Sequence, residues 1–476
     1  MRTARDAWRR DEAVGLCCAL GLALFTTLSF LLYLVHWSGV GAVLAALAVT
    51  LLVLVLGVRA LAAARRTDAV PGHGASEPVG GGRLEAVIVA AGLGLAIVQV
   101  AYSGLLAARA PFAAWDAWSF WALKAFMFTS GGPPQGYFHD PLTLYTHPDY
   151  PLNLPLAAAA LFRIPGQIGV VLAALIGPAC FGALLLLLYA GLTRLYGRAT
   201  AALAVGALSF VPALPVQAAS GNADAPLAMY TGAATLYLLL WWRLRRPADA
   251  LLMGLLAGGA VWTKREGLPV AALLLAAYMG ELLRARESRH GSGATQPKLT
   301  HNSRASKRAW IRIAGVIAAS VVVPLPWLLF CLIVRPLGRD FLPFTPSVFL
   351  AHAGRLPHIV TLFLLQMLDF ANWGLLWLLL AVLLVVAARR LPPSGRGLLL
   401  LLLGQVGLYM LSFVFSDWQP YTAHVQTSLD RLLLQAVPPA LLLLVDAAHV
   451  VGARRQATAQ LVATRSQDLV TLSRLS

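Results

Sequence analysis

Stretches of some twenty residues without a single acidic or basic side chain recur along this chain, and they decide what it can fold into. Residues 13–35 and 37–58 are two of them. An apolar helix of roughly 20 residues crosses the hydrocarbon core of a bilayer. In lipid a spanning segment must satisfy its own backbone polar groups, which a helix does unaided. The other solution, a closed barrel, is written in short strands of alternating polarity, and that pattern is absent. With 59% hydrophobic and 12% charged residues among 476, a water-soluble body would have too little charge to cover it. The chain reads as an all-α polytopic membrane bundle of about twelve spans.

The formal net charge of +17 invites a nucleic-acid partner, but its distribution rejects one. The arginines sit in short groups between apolar runs: Arg2, Arg5, Arg9 and Arg10; Arg65 and Arg66; Arg194 and Arg198; Arg243, Arg245 and Arg246; Arg284 through Arg312; Arg389 and Arg390; Arg454 and Arg455. Such groups hold cytoplasmic loops against an anionic inner leaflet. Counting spans from an inside N-terminus puts these groups on one side, with both termini cytoplasmic. It puts residues 108–166, 335–371 and 416–431 outside. The first apolar run lacks a small-residue cleavage site after it and reads as a retained signal anchor. The expected organisation is a basic segment and helical hairpin over 1–66, a cytoplasmic Gly-rich linker over 67–84, a transmembrane domain over 85–451 and a cytoplasmic tail over 452–476. Cys17, Cys18, Cys180 and Cys331 lie in apolar runs without metal-like spacing and read as small hydrophobes.

The outer segments carry the chemistry. Of four lysines, Lys298 and Lys307 fall in the basic inner loop, while Lys124 and Lys264 fall in outer or intramembrane motifs. Ionisable groups at membrane depth are costly and mark a site with a partner. Each of these two either pairs with a carboxylate at a helix junction or offers a compact cation to a lipid phosphate. Asp116 lies between Trp115 and Trp118, whose rings favour the head-group plane. It is an N-cap, a partner of Lys124, or a carboxylate poised to take a proton from an attacking hydroxyl. In His147-Pro148-Asp149-Tyr150-Pro151 two prolines stiffen the backbone. His147 and Asp149 offer either hydrogen bonds to a sugar or ligands to a divalent ion. A metal needs three or four ligands, which His139, Asp140 and Asp224 would complete, but no spacing demands it. Asp224 opens a helix two residues before Pro226, a natural N-cap that is equally free to touch a ligand. Glu266 is expected to pair with Lys264 or Arg265 in a helical break. Near the C-terminus come His424 and Asp430-Arg431. Arg431 pairs with Asp430 or presents its fork of N–H donors to a phosphate.

Taken in order, Trp115-Asp116-Ala117-Trp118, Tyr150-Pro151-Leu152-Asn153-Leu154-Pro155, Gly221-Asn222-Ala223-Asp224, Thr263-Lys264-Arg265-Glu266-Gly267 and Thr427-Ser428-Leu429-Asp430-Arg431-Leu432 resemble the GT-C superfamily of membrane glycosyltransferases. The similarity is to bacterial relatives of the protein O-mannosyltransferases and of the lipid A aminoarabinose transferase. It implies an outward-facing transferase in a bacterial inner (plasma) membrane, using a polyprenyl-phosphate sugar. It also implies that Asp116 is the catalytic carboxylate and Asp224 the second acidic position, with Lys264 and Arg431 at basic positions. Two departures stand out: an adjacent acidic pair is replaced by Asp116-Ala117, and a helical hairpin over about 14–60 precedes the helix that leads to the first outer loop.

On this reading Asp116 and Asp224 are catalytic, and Lys124, Lys264 and Arg431 meet the donor phosphate. Trp115, Trp118, His147, Asp149, Tyr150 and His424 meet the sugar or the acceptor. The acceptor is a lipid, glycan or protein of the cell envelope. No cofactor is called for apart from an optional divalent cation. Two rivals use the same residues: a lipid or glycan transporter, for which the inverted repeats of that class are missing, and a polymerase or ligase of surface glycans.

Overall fold

The computed structural model describes residues 10–67, 82–291, 301–338 and 340–473. Residues 68–81 of the Gly-rich linker, Lys298 and the arginines ahead of Arg10 lie outside them. The fold is all-α; among the described residues the extended pairing is one bridge between Phe341 and Ser416. Eight helices are long and apolar enough to cross a bilayer, and up to ten if each of two bent pairs is one span. The bent pairs, Arg198–Ser209 with Ala213–Ala219 and Ala309–Val322 with Leu325–Val334, each turn by 65° at breaks that contain Pro212 and Pro324. A proline there removes a helical N–H and clashes with the preceding turn, which accounts for the kinks.

The expected count of about twelve is not confirmed by length and apolar composition among the described residues. The Asp224–Leu244 helix has 21 residues, but threonines, tyrosines and tryptophans dilute its apolar character. Pro247–Thr263 has 17 residues and Leu376–Ala387 only 12. Conversely, Pro346–Met367, which contains a stretch that reads as interfacial, is long enough to span. Asp224–Leu244 stands at the centre of the bundle and is buried along nearly its whole length. A helix sheltered by other helices can carry polar groups if they are satisfied locally. Thr231 and Thr235 donate to the carbonyls of Leu227 and Thr231 at 3.0 and 2.8 Å, and the Tyr230 hydroxyl donates to Ala19 O at 2.7 Å.

That last bond shows that the first helix, Arg10–Leu34, is no appendage. It buries Ala19, Ala23, Thr26 and Phe30 in the core, whereas its hairpin partner Val40–Thr67 leaves Leu44, Leu51, Leu52 and Leu56 exposed.

The two ends of the bundle differ. At one end buried acids are tied to arginines: Arg194 lies 3.0 Å from Glu12 and 3.3 Å from Asp249. Asp446 there accepts from Arg243, Tyr196 and Ser394. Buried charges demand such partners, because an unpaired one costs several kcal/mol or more. The opposite end is hollow.

Candidate active site

Three local features build the hollow end. Asp116 precedes a wide helical turn, Ala117–Ala122, that feeds the Leu123–Thr129 helix. Such widened turns are rare and frequent at functional sites. Gly221 (φ +83°) then brings the loop before Asp224 against that turn; a Cβ there would sit 2.8 Å from the Phe112 ring and 3.2 Å from Ala117 Cβ. Finally, the Pro247–Thr263 helix stops at Lys264, which is extended (φ −157°, ψ 154°). The chain reverses through Arg265-Glu266, with the Gly267 N–H donating to Lys264 O at 2.9 Å. A Cβ on Gly267 would lie 2.1 Å from Ala260 O, so this close approach of two helix ends requires glycine.

Between these features and the first turns of the Tyr421–Ser473 helix lies a cavity of about 1360 Å³. Its wall includes Trp115, Asp116, Tyr150, Lys264, Arg431 and His424, all expected at the site. Asp116 is paired with Arg431, 315 positions away in sequence, and with neither Lys124 nor a helix-capping N–H. Arg431 also donates to Thr427 O at 3.2 Å, and so keeps further N–H groups for another acceptor. Lys264 Nζ lies 2.8 Å from Asp224 Oδ1 and 3.0 Å from Glu266 Oε1. Gln435 supports Asp224 at 3.4 Å. Asp224 itself is fully buried behind Lys264, so it orders a cation and does not form the wall. Glu266 Oε2 and Asn222 Oδ1, on wall residues, are buried atoms without a hydrogen-bond partner.

A second cluster flanks the first. His147 Nδ1 lies 3.1 Å from Asp340 Oδ2, and Trp418 Nε1 donates to Asp340 Oδ1 at 3.3 Å. Burial alone would raise the Asp340 carboxyl; the His147 hydrogen bond and the surrounding charge hold it below the usual carboxylate range. Asp149 is paired with Arg265 instead, yet burial still pushes its carboxyl up. His424 stacks on Trp418 with ring centres 4.8 Å apart and hydrogen-bonds Ser416 Oγ at 2.9 Å.

This arrangement dismantles the metal set. His147 faces Asp340, Asp149 faces Arg265, His139 bonds Val334 O at 2.7 Å, and Asp140 caps Leu142 N at 2.9 Å. Among the described residues no three His, Cys, Asp or Glu side chains converge as metal ligands.

Lys124 also departs from expectation. Its side chain is 1% exposed, is not on the cavity wall, and donates to His147 O at 2.7 Å beneath the rings of Trp121 and Tyr150. It braces the loop and offers no charge to the cavity. Trp118 lies off the wall too, edge-on to Trp115 at 4.7 Å. Asp430 accepts from Gln217 at 3.1 Å, so the local Asp430–Arg431 pair is not formed.

Sequence reasoning missed Asp340 as a wall residue and Asn222 as a free acceptor. The only signal for Asp340 was that it is a carboxylate within an outer segment, and nothing marked it from its neighbours.

A family model described as dolichyl-phosphate-mannose-protein mannosyltransferase matches residues 149–289. The matched residues include Tyr150, Asp224, Lys264 and Glu266; Asp116 and Arg431 lie outside them. No curated protein and no solved structure matches the chain.

Proposed function

We propose that this chain is a protein-mannosyltransferase-like membrane glycosyltransferase of the GT-C type, passing a sugar from a polyprenyl phosphate to a hydroxyl of a cell-envelope acceptor with Asp116 as the base. The observation that carries the reading is the Asp116–Arg431 pair lining the same cavity as Lys264. A base and two cations lining one cavity match the charges that develop in a glycosyl transfer.

In this scheme the donor phosphate is held by Lys264 and Arg431, and the sugar packs under Trp115 and Tyr150. Asp116 takes the proton of the acceptor hydroxyl as its oxygen attacks the anomeric carbon. The bond from that carbon to the phosphate oxygen breaks, and prenyl phosphate leaves with the electron pair, its charge held by the two cations. Configuration at the anomeric carbon inverts. Asp224 and Glu266 keep Lys264 charged and aimed, and Lys124 fixes the loop that carries His147. His147, Asp149 and His424 belong to the surround of the sugar or acceptor.

The hollow end lies opposite the arginine-rich end. The Asp224–Leu244 helix runs from the buried Asp224 behind Lys264 to Arg243, and the Tyr421–Ser473 helix carries Arg431 at the cavity and Asp446, the partner of Arg243, further along. That polarity supports a site on the outer face of a bacterial plasma membrane.

The test is transfer from radiolabelled polyprenyl-phosphate sugars to a cell-envelope extract by purified protein in nanodiscs. Asp116→Asn is expected to lose about 10²–10⁴-fold in rate while remaining folded. Full activity in folded Asp116→Asn would remove the base assignment, and the labelled product of the wild type names the acceptor.

A further inference from the structure

Four buried side chains link the first helix to the backbone that presents Lys264. The Trp262 indole N–H donates to Thr26 Oγ1 at 2.8 Å, and Thr26 Oγ1 lies 2.7 Å from Asn153 Oδ1. Asn153 Nδ2 donates to Thr263 Oγ1 at 2.8 Å, and Thr263 Oγ1 donates to Gly259 O at 2.7 Å. Thr26, Asn153 and Thr263 are wholly buried, and Trp262 is 1% exposed. Thr26 Oγ1 also lies 2.9 Å from Leu22 O, the contact open to any helical threonine. Only its partners across the bundle tie three elements together.

Those elements meet where the site is assembled. Trp262 and Thr263 are the last two residues of their helix, immediately before Lys264. Asn153 opens the Asn153–Phe162 helix, three residues after Tyr150 on the cavity wall. Thr26 contributes the third part of the knot from a helix that supplies no residue to the cavity wall. A helix end without such anchors is free to fray, and Lys264 follows it in extended backbone.

We propose that the Thr26–Asn153–Trp262–Thr263 knot is a positioning device for the transfer reaction, setting Lys264 at its distance from the Tyr150 side of the cavity. The inference rests on the reading that Lys264 holds the donor phosphate. None of the four residues touches substrate. They act through Lys264, so their loss appears in phosphate binding and disappears when Lys264 is no longer there to be positioned.

The experiment measures equilibrium binding of a radiolabelled, sugar-free polyprenyl phosphate to the full chain in nanodiscs, together with thermal midpoints. Thr26→Val keeps the shape and removes the hydroxyl; it is expected to weaken binding roughly tenfold or more, as small misplacements of a binding group do. Thr26→Ser restores wild-type affinity. Lys264→Gln weakens binding too, and Thr26→Val in the Lys264→Gln background weakens it no further, because residues of one network do not add. Should Thr26→Val fail to fold, Thr263→Val reports on the same link with Thr26 and Trp262 intact. A lowered thermal midpoint with unchanged affinity, or a loss that repeats in full on Lys264→Gln, overturns the positioning role and leaves the phosphate role of Lys264 standing. Wild-type affinity in Lys264→Gln is a different result: it removes that phosphate role, and the proposal with it.

Discussion

Lys124 and Lys264 are both buried, and they titrate to opposite purposes. Lys264 has two carboxylates within 3.0 Å. Lys124 has a carbonyl and two aromatic faces, and burial brings its ammonium down from 10.5 to about 7 against a weaker pull from Asp149. The consequence has a sign. Below pH 7 folded and unfolded chains both carry the proton, and the folded state bears the full desolvation cost. Between pH 7 and 10.5 the folded state is already neutral while the unfolded one is not, so this group makes the protein more stable as pH rises through that window. Lys124→Met removes the titration. Its thermal midpoint in detergent is expected to gain less than the wild type's between about pH 7 and 9.5. Equal gains in both proteins would contradict the assignment. From sequence the two lysines look alike, each a lone cation in an outer motif. What separates them is whether an acid from another helix reaches the ammonium, and Asp224 is 40 positions from Lys264. Asp116 was legible because tryptophans and a resemblance pointed to it. Its actual partner, Arg431, was legible as a cation but not as that partner, since the pair closes over most of the chain.

At the scale of elements, the break at Lys264-Arg265-Glu266 is the most consequential turn in the bundle. Gly267→Ala is expected to lower the thermal midpoint and weaken polyprenyl phosphate binding together, because the added carbon meets Ala260 O and displaces the turn. Gly280→Ala, in the same Gly267–Gly291 helix with nothing within 4 Å of the added carbon, is expected to be neutral or to stabilise by up to about 1 kcal/mol. Binding measured on the two variants separates a geometric requirement from a general sensitivity of this helix. The break itself could be read from the sequence, since three charged residues between apolar runs leave little choice. The first hairpin, expected over about 14–60, does form, with its two helices running further at their outer ends, Arg10–Leu34 and Val40–Thr67. Burial could not be read: an apolar helix that faces lipid and one that faces other helices share a composition, so the central place of Arg10–Leu34 was invisible.

For the molecule as a whole, the separation of a hollow acidic–basic end from an arginine-rich end makes orientation testable. Leu142 is 81% exposed in the loop beside the cavity, and Arg390 is exposed at the other end. A membrane-impermeant maleimide is expected to label Leu142→Cys in intact cells and Arg390→Cys only after permeabilisation, with the native cysteines as background. The reverse pattern would place the transfer reaction in the cytoplasm. Mean composition predicted a membrane bundle correctly, while its count of about twelve spans is not confirmed: helices at the centre need not satisfy lipid, so their composition does not mark them as spans. That same fact bears on how the protein is made. Asp224–Leu244, with a carboxylate at its first residue and hydroxyls along its length, is a poor candidate to leave the translocation channel alone. Its tyrosines bond to Glu12 and to Ala19 O, both on Arg10–Leu34, which is synthesised well before it. Arg10–Leu34 therefore serves as the cradle into which the central helix is later delivered, and that cradle waits open for some two hundred residues of synthesis before it is filled.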